Sequence, residues 1–189
     1  ATIHAMADEY RRSLEAHFTI VGDPRGAWVA SPGWPRAIEA PRELANGIVR
    51  AQGGHSHRAI IAVDDRLYLV VTEPATFAEE VLATLTAGYE LDDTVAREIA
   101  LTTRCDVNLV ARRRLSASSL SPAQRNALGE LVGDGPGAMG GLNNRAELRP
   151  VGDAQYVTGA YPLHPDASDA SGGTLVLLED WAPSQQFVD

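Results

Sequence analysis

Lysine is absent from this chain of 189 residues, and arginine supplies all 16 of its basic side chains. They are outnumbered by 25 acidic residues, which gives a net charge of −9 that is spread evenly over both halves. No basic stripe faces a phosphate backbone, so the sequence argues against nucleic-acid binding. We read the missing lysine mainly as compositional bias, and secondarily as a preference for guanidinium groups that grip carboxylate ligands.

Cysteine and long apolar runs are also scarce. The single cysteine, Cys105, excludes an internal disulfide and is predicted to be a buried small hydrophobe. No stretch of about 18 apolar residues occurs, so nothing within the chain is predicted to span a membrane. With 44% hydrophobic and 22% charged residues, the composition is that of a globular protein, which we expect to be a soluble fragment of a longer one.

The N-terminal residues 5–18 have the composition of a helix. Met6, Tyr10, Leu14 and Phe18 recur at four-residue spacing, which predicts one apolar stripe that faces either the core or a dimer partner. The other predicted helices begin at Pro41, after Asp92-Asp93 and at Ser121.

Strand signals fill most of the remaining chain. Predicted hairpins turn at Asp64-Asp65, at Arg112–Arg114 and at Gly152-Asp153, while Phe77–Val81 reads as a loop or short helical turn. The other predicted elements are strands at 26–31, 82–91 and 174–178, loops at 133–141 and 164–173, and a helix that starts at Trp181.

The two halves look like copies of one unit. The stretch from Leu67 to Pro74 corresponds to the stretch from Gln155 to Pro162, and each half offers a strand or hairpin, a helix, a second hairpin and a final apolar strand. This order predicts an α+β fold of two PAS-like lobes, each an antiparallel sheet flanked by helices, with residues 1–92 in the first and 93–189 in the second.

The sequence resembles the double Cache domain, the tandem PAS-like extracytoplasmic sensor of bacterial receptors. The matching stretches are Gly26–Ala30, Arg66–Val71, Gly88–Ala100, Val107–Ala111, Ala117–Leu120 and Tyr156–Leu163. The resemblance implies a periplasmic sensor that binds a small molecule, with transmembrane segments outside this chain and a cyclase, chemotaxis-receptor or histidine-kinase output. The family's long first helix is short here, which predicts either a reduced first lobe or a trimmed helix.

No residue set predicts an active site, a metal site or a cofactor. His55 and His57 have no third ligand nearby in sequence, and the glycine-rich run 133–141 lacks the Gly-Lys-Ser/Thr ending of a phosphate loop. Asp64-Asp65 and Asp92-Asp93 suit a turn and a helix cap better than acid–base chemistry.

Ligand contacts are expected from side chains of the strands that carry both rings and polar atoms. Arg58 could clamp a carboxylate at two points while neighbouring rings exclude water. The candidates are Trp28, Arg58, Tyr68, Thr72 and Tyr89 in the first lobe, and Arg149, Tyr156 and Tyr161 in the second.

Three hypotheses follow. The first is a non-enzymatic periplasmic domain in which a ligand biases a two-state element that reports across the membrane. The second is a cytosolic GAF- or PAS-like regulatory module, which the absence of hydrophobic segments of about 20 residues on both sides would favour. The third is a homodimerisation module that acts through the N-terminal helix and binds nothing.

Overall fold

The computed structural model describes residues 2–35, 38–133, 145–163 and 173–181. The chain divides into two compact units, here called the first and second lobes. The first lobe comprises Ala1–Val63 and Tyr68–Glu90, and the second comprises Asp64–Leu67 and Leu91–Asp189.

The first lobe is an antiparallel sheet with the strand order β2-β1-β5-β4-β3. Its helices and strands are α1 (Ile3–Ser13), β1 (Phe18–Gly22), β2 (Trp28–Ala30), α2 (Arg42–Gln52), β3 (His57–Val63), β4 (Arg66–Phe77) and β5 (Glu80–Glu90).

The second lobe repeats this arrangement with the strand order β7-β6-β10-β9-β8. If the strands are numbered within each lobe, both sheets have the order second, first, fifth, fourth, third. This shared order confirms the predicted α+β fold of two PAS-like lobes. The elements are α3 (Asp93–Thr103), β6 (Asp106–Ala111), β7 (Arg114–Ser118), α4 (Pro122–Gly133), β8 (Glu147–Val151), β9 (Ala154–Pro162) and β10 (Thr174–Asp180).

Strand register shows how closely the lobes correspond. Tyr68 of β4 lies opposite Glu90, and Tyr156 of β9 lies opposite Asp180, so each tyrosine faces an acidic residue at the end of the fifth strand of its lobe. Within the residues that the structure describes, the first sheet has five strands, as many as the second.

The predicted N-terminal helix is too long, because α1 ends at Ser13 and Phe18 lies in a strand. Glu15 has a positive φ of 53°, which a continuing helix cannot contain. Phe18 instead begins β1, which pairs with strands on both sides, so sheet pairing overrides the four-residue periodicity. Met6 and Tyr10, 59% and 53% exposed, face away from the core of the lobe.

The prediction of a loop or helical turn at Phe77–Val81 is also wrong. Only Ala78 and Glu79 lie outside the strands, and they connect β4 to β5 with φ values of 48° and 70°. Neither residue is the Gly or Asn that normally marks such a turn, so the sequence carries no signal for it.

The other predicted turns, at Asp64-Asp65, Arg112–Arg114 and Gly152-Asp153, are confirmed. The predicted loops within 134–144 and 164–172 and the predicted helix beyond 181 lie outside the described residues.

The acidic pair that begins α3 has two roles. Asp92 caps the helix by accepting the N–H groups of Thr94 and Val95 at 2.9 and 3.0 Å. Asp93 points to the rest of the lobe, where it accepts the N–H of Ser118 at 2.9 Å and the guanidinium of Arg125 at 2.5 Å. These bonds tie α3 to β7 and α4.

The environment of Asp93 also favours its charged form. Burial alone would raise its pKa, but the hydrogen bonds from Arg125 and Ser118 and the charges of Arg125 and Arg97 outweigh burial and lower the pKa below its usual value. A depressed pKa in the folded state means that this carboxylate contributes stability above its unfolded pKa. The contribution is lost as the pH falls through the folded value.

The core of the first lobe depends on a close contact between Phe18 and Gly88, which lie opposite each other in β1 and β5. A Cβ added to Gly88 would lie only 2.1 Å from the Phe18 ring, so the ring occupies the space that any side chain there would need. Trp34, Leu44 and Ile48 belong to the same buried cluster.

We predict that Gly88→Ala lowers the free energy of unfolding by about 2 kcal/mol or more, because the methyl group must displace a packed ring. Chemical denaturation measures the change. Phe18→Leu should recover part of the loss in the double variant. Gly129→Ala in α4 is the matched control, since no atom lies within 4 Å of its added Cβ and it should stabilise by up to about 1 kcal/mol. An equal effect of the two alanines would contradict this account of the core.

Candidate functional site

One face of the first sheet, called here the α2 face, carries three of the predicted ligand residues. Side chains alternate along a strand, so Tyr68 and Thr72 of β4 share a face. Trp28 of β2 lies on this face too. It pairs with Gly22, which lies on the same face of β1 as Phe18. Helix α2 covers this face and buries Leu44 in the same cluster.

Aromatic rings lie along the α2 face in a continuous series. Trp28 packs edge-on against Trp34 with 5.5 Å between the ring centroids, and Trp34 packs edge-on against Phe18 at 4.9 Å. Phe18 in turn forms a tilted pair with Tyr68 at 5.5 Å, and the centroid of the His17 ring lies 6.1 Å from that of Tyr68. Edge-to-face pairs of this kind hold the rings in fixed orientations.

Buried hydroxyl groups lie on the same face of the sheet as these rings. Thr72 and Thr86, opposite each other on β4 and β5, are both buried, and their hydroxyls are 2.9 Å apart in a hydrogen bond. Helix α2 approaches the sheet here through Gly47, where an added Cβ would lie 2.9 Å from the His57 ring and 3.3 Å from the Thr72 hydroxyl. The α2 face therefore carries aromatic rings as well as hydroxyl and imidazole groups.

The structure does not bring Arg58 and Tyr89 to this face. Ala59, Ile61 and Val63 of β3 pack into the core, so Arg58 points to the other side of the sheet, where it is exposed. Tyr89 pairs with Leu69, one residue out of step with Tyr68, and thus also lies on the other side. A carboxylate clamp that combines Arg58 with the rings of the α2 face is therefore not formed.

In the second lobe, Arg149 and Tyr156 pair across β8 and β9 and share the face covered by α4. Arg149 donates to Glu147 at 2.9 Å, while the buried Tyr156 accepts a hydrogen bond from Gln124 at 2.5 Å. Burial raises the pKa of Tyr156, and nearby carboxylates, Asp106 first, raise it further, so the phenol stays protonated. Tyr161, 40% exposed, lies on the opposite face.

Sequence reasoning missed Trp34, Thr86 and Gly47. Trp34 lies in the stretch Pro32-Gly33-Trp34-Pro35, whose proline and glycine residues are typical of a turn, so nothing in the sequence indicates that its ring enters a core. Alternation of Thr84, Thr86 and Gly88 along β5 was the available signal for Thr86, since all three are buried on one face.

The other chemical candidates have ordinary surroundings. Cys105 is partly buried, and burial followed by the carboxylates of Glu179 and Asp106 raises the pKa of its thiol. His55 is exposed, and within the described ranges no group of three or more His, Cys, Asp and Glu side chains could hold a metal ion. Nor does any helix in the described part of the chain combine the length and apolarity needed to cross a bilayer.

Comparison with known proteins identifies the fold. No family model matches the sequence, and no curated protein matches it significantly. Among solved structures, the ligand-binding domain of the Campylobacter jejuni chemoreceptor Tlp3 in complex with 4-methylisoleucine superposes with a TM-score of 0.50 at 9% identity, covering 98% of this chain and 73% of that one. The sensor domain of the Vibrio cholerae histidine kinase DctB gives 0.49 at 16% identity, with 94% and 77% covered. The fold is that of the Cache-type sensor domains, as the sequence resemblance predicted.

The hydroxyl pair of the α2 face gives a prediction about stability. Thr72→Val should lower the free energy of unfolding by about 1–2 kcal/mol, because it leaves the buried Thr86 hydroxyl without its partner. Thr72→Val/Thr86→Val should cost less than the sum of the two single changes. Chemical denaturation of the full double-mutant cycle measures this coupling. Thr102→Val on the exposed side of α3 is the control, with an expected change within about 0.5 kcal/mol. Strict additivity of Thr72 and Thr86 would show that the two hydroxyls do not interact.

Proposed function

We propose that this chain is the extracytoplasmic ligand-sensing domain of a bacterial membrane signalling protein, that it is not catalytic, and that it binds its small-molecule ligand at the α2 face of the first lobe. The observation that carries the proposal is the convergence of Trp28, Tyr68 and Thr72 on one sheet face beneath a helix. Rings that exclude water beside a few hydroxyl groups are the usual lining of a small-molecule site.

The chemistry of this face narrows the ligand. Its rings can cover an aliphatic or cationic group, and Thr72, Thr86 and His57 supply hydrogen bonds. Arg58 lies on the other face, so a carboxylate would have to be held by hydroxyl and backbone groups instead of a guanidinium. The Tlp3 domain was solved with 4-methylisoleucine, which makes amino acids and amines the first compounds to screen.

Ligand binding is tested by thermal shift against amino acids, organic acids and amines. We expect at least one compound to raise the melting temperature in a saturable way. Tyr68→Phe should lower the affinity for that compound by about threefold to tenfold if the phenol hydroxyl donates one hydrogen bond to it. Tyr89→Phe, the same change on the opposite face, should leave its affinity unchanged.

Two results would count against this site. A flat response across the whole library would remove the small-molecule function, and equal effects of Tyr68→Phe and Tyr89→Phe would move the ligand away from the α2 face.

For the arrangement of the whole receptor, we propose that hydrophobic segments of about 20 residues flank the chain in the full protein and place it outside the cytoplasmic membrane. We also propose a homodimer through α1. Its exposed apolar side chains recur along one stripe, with Ile3, Met6 and Tyr10 more than half exposed and Leu14 37% exposed. Ligand binding would then act by biasing the geometry of the paired helices.

The dimer is tested by solution mass. Met6→Glu/Tyr10→Glu should shift the chain to monomer, because two charges would have to be buried in an apolar contact. Leu101→Glu is the control, since Leu101 is 84% exposed on α3 and outside the stripe. Analytical ultracentrifugation over a concentration series gives the dissociation constants. An unchanged dimer in the double variant, or a wild type that is monomeric throughout, would remove α1 from the interface.

A further inference from the structure

We propose that the arginine turn of the second lobe is a binding site for a phosphate-bearing anion, separate from the ligand face of the first lobe. The arginine turn consists of Arg112, Arg113 and Arg114. Arg112 and Arg113 connect β6 to β7, and Arg114 is the first residue of β7.

Backbone conformation indicates that the arginines are present for their charge. Arg112 and Arg113 form the two-residue connection and have φ values of 46° and 66°. Positive φ at both central positions is the geometry that Asn-Gly adopts without strain, and that other side chains adopt at a cost. Three adjacent guanidiniums also repel one another. The turn therefore sacrifices local stability to hold cations together.

The guanidiniums line a cleft that has room for a ligand. Its volume is about 610 Å³, and Asp65 is the one acidic residue in its lining. Gly129 and Gly133 of α4 form part of the wall, and an added Cβ at either would meet no atom within 4 Å. The space opposite the arginines is thus kept open by two residues without side chains.

Most of the positive charge in the cleft is not neutralised. Arg114 pairs with Asp65 at 3.3 Å, but neither Arg112 nor Arg113 has a hydrogen bond or ion pair from its side chain within the described part of the chain. Both are exposed, in a protein whose overall charge is −9. Guanidinium groups bind phosphate oxygens through paired hydrogen bonds, which makes a phosphate group the ligand that this arrangement fits best.

A phosphate group could belong to a soluble compound or to a lipid headgroup. Both sources present the same phosphate oxygens to the arginine turn, so inorganic phosphate and anionic vesicles are tested separately.

The test replaces the turn by Arg112→Asn/Arg113→Gly and measures binding of inorganic phosphate by calorimetry at constant ionic strength, with chloride as the reference salt. We expect saturable phosphate binding by the wild type, weakened about tenfold or more in this variant, because two charge-assisted contacts are lost. The same variant should melt at a higher temperature, since Asn-Gly suits the turn. A lower melting temperature would contradict the strain argument.

Two further variants separate charge from shape. Gly129→Met should weaken phosphate binding by filling the cleft while leaving every arginine in place. Arg25→Gln, an exposed arginine in a turn of the first lobe, should leave binding unchanged.

Vesicles identify the source of the phosphate. Vesicles of phosphatidylcholine with phosphatidylglycerol are compared with vesicles of phosphatidylcholine alone. If the chain binds the anionic vesicles but not inorganic phosphate, and the Asn-Gly variant abolishes that binding, the site takes a lipid headgroup. Absence of both phosphate and vesicle binding, or binding that the Asn-Gly variant leaves unchanged, would overturn the proposal.

Discussion

The contact between the Phe18 ring and the backbone of Gly88 determines the middle of the first sheet and much of what lies on it. Because Gly88 has no side chain, the ring can lie flat against β5 and still reach Trp34 and Tyr68. That series of rings, continued by Trp28, forms the apolar part of the α2 face. The candidate ligand site is therefore an extension of the hydrophobic core, and a change that disturbs Phe18 disturbs both.

The two lobes share one strand order, but the side chains around equivalent positions differ. Tyr68 lies in a series of aromatic rings, whereas Tyr156 is hydrogen-bonded to Gln124 and packed among aliphatic side chains under α4. In the second lobe, Asp93 of α3 pairs with Arg125 of α4 and accepts the N–H of Ser118 in β7, so polar contacts join the two helices to each other and α3 to the sheet. On the proposed function, the ligand binds the first lobe at the α2 face, and the equivalent position in the second lobe is part of a packed cluster.

Much of this fold could be predicted from the sequence, because the turns at Asp64-Asp65, Arg112–Arg114 and Gly152-Asp153 and the capping carboxylate of Asp92 are local signals. The stretches 67–74 and 155–162 also predicted equivalent strands. The predicted helix extends to Phe18, the first residue of β1, because the pairing of β1 with β5 is distant in sequence. The turn at Ala78-Glu79 is local, but neither residue carries a turn signal. The side of the sheet that Arg58 and Tyr89 occupy depends on strand register, and a shift of one residue reverses it.

The indole N–H signals of the three tryptophans, observed by NMR, provide the most direct test of the account. Trp28 and Trp34 lie on the α2 face of the first lobe, and Trp181 follows β10 in the second, where it serves as an internal reference. During titration with a compound that stabilises the chain, the account predicts saturable shifts of the Trp28 and Trp34 signals and no shift of Trp181. If saturation with the compound shifts only the Trp181 signal, or none of the three signals, a ligand site on the first lobe is contradicted.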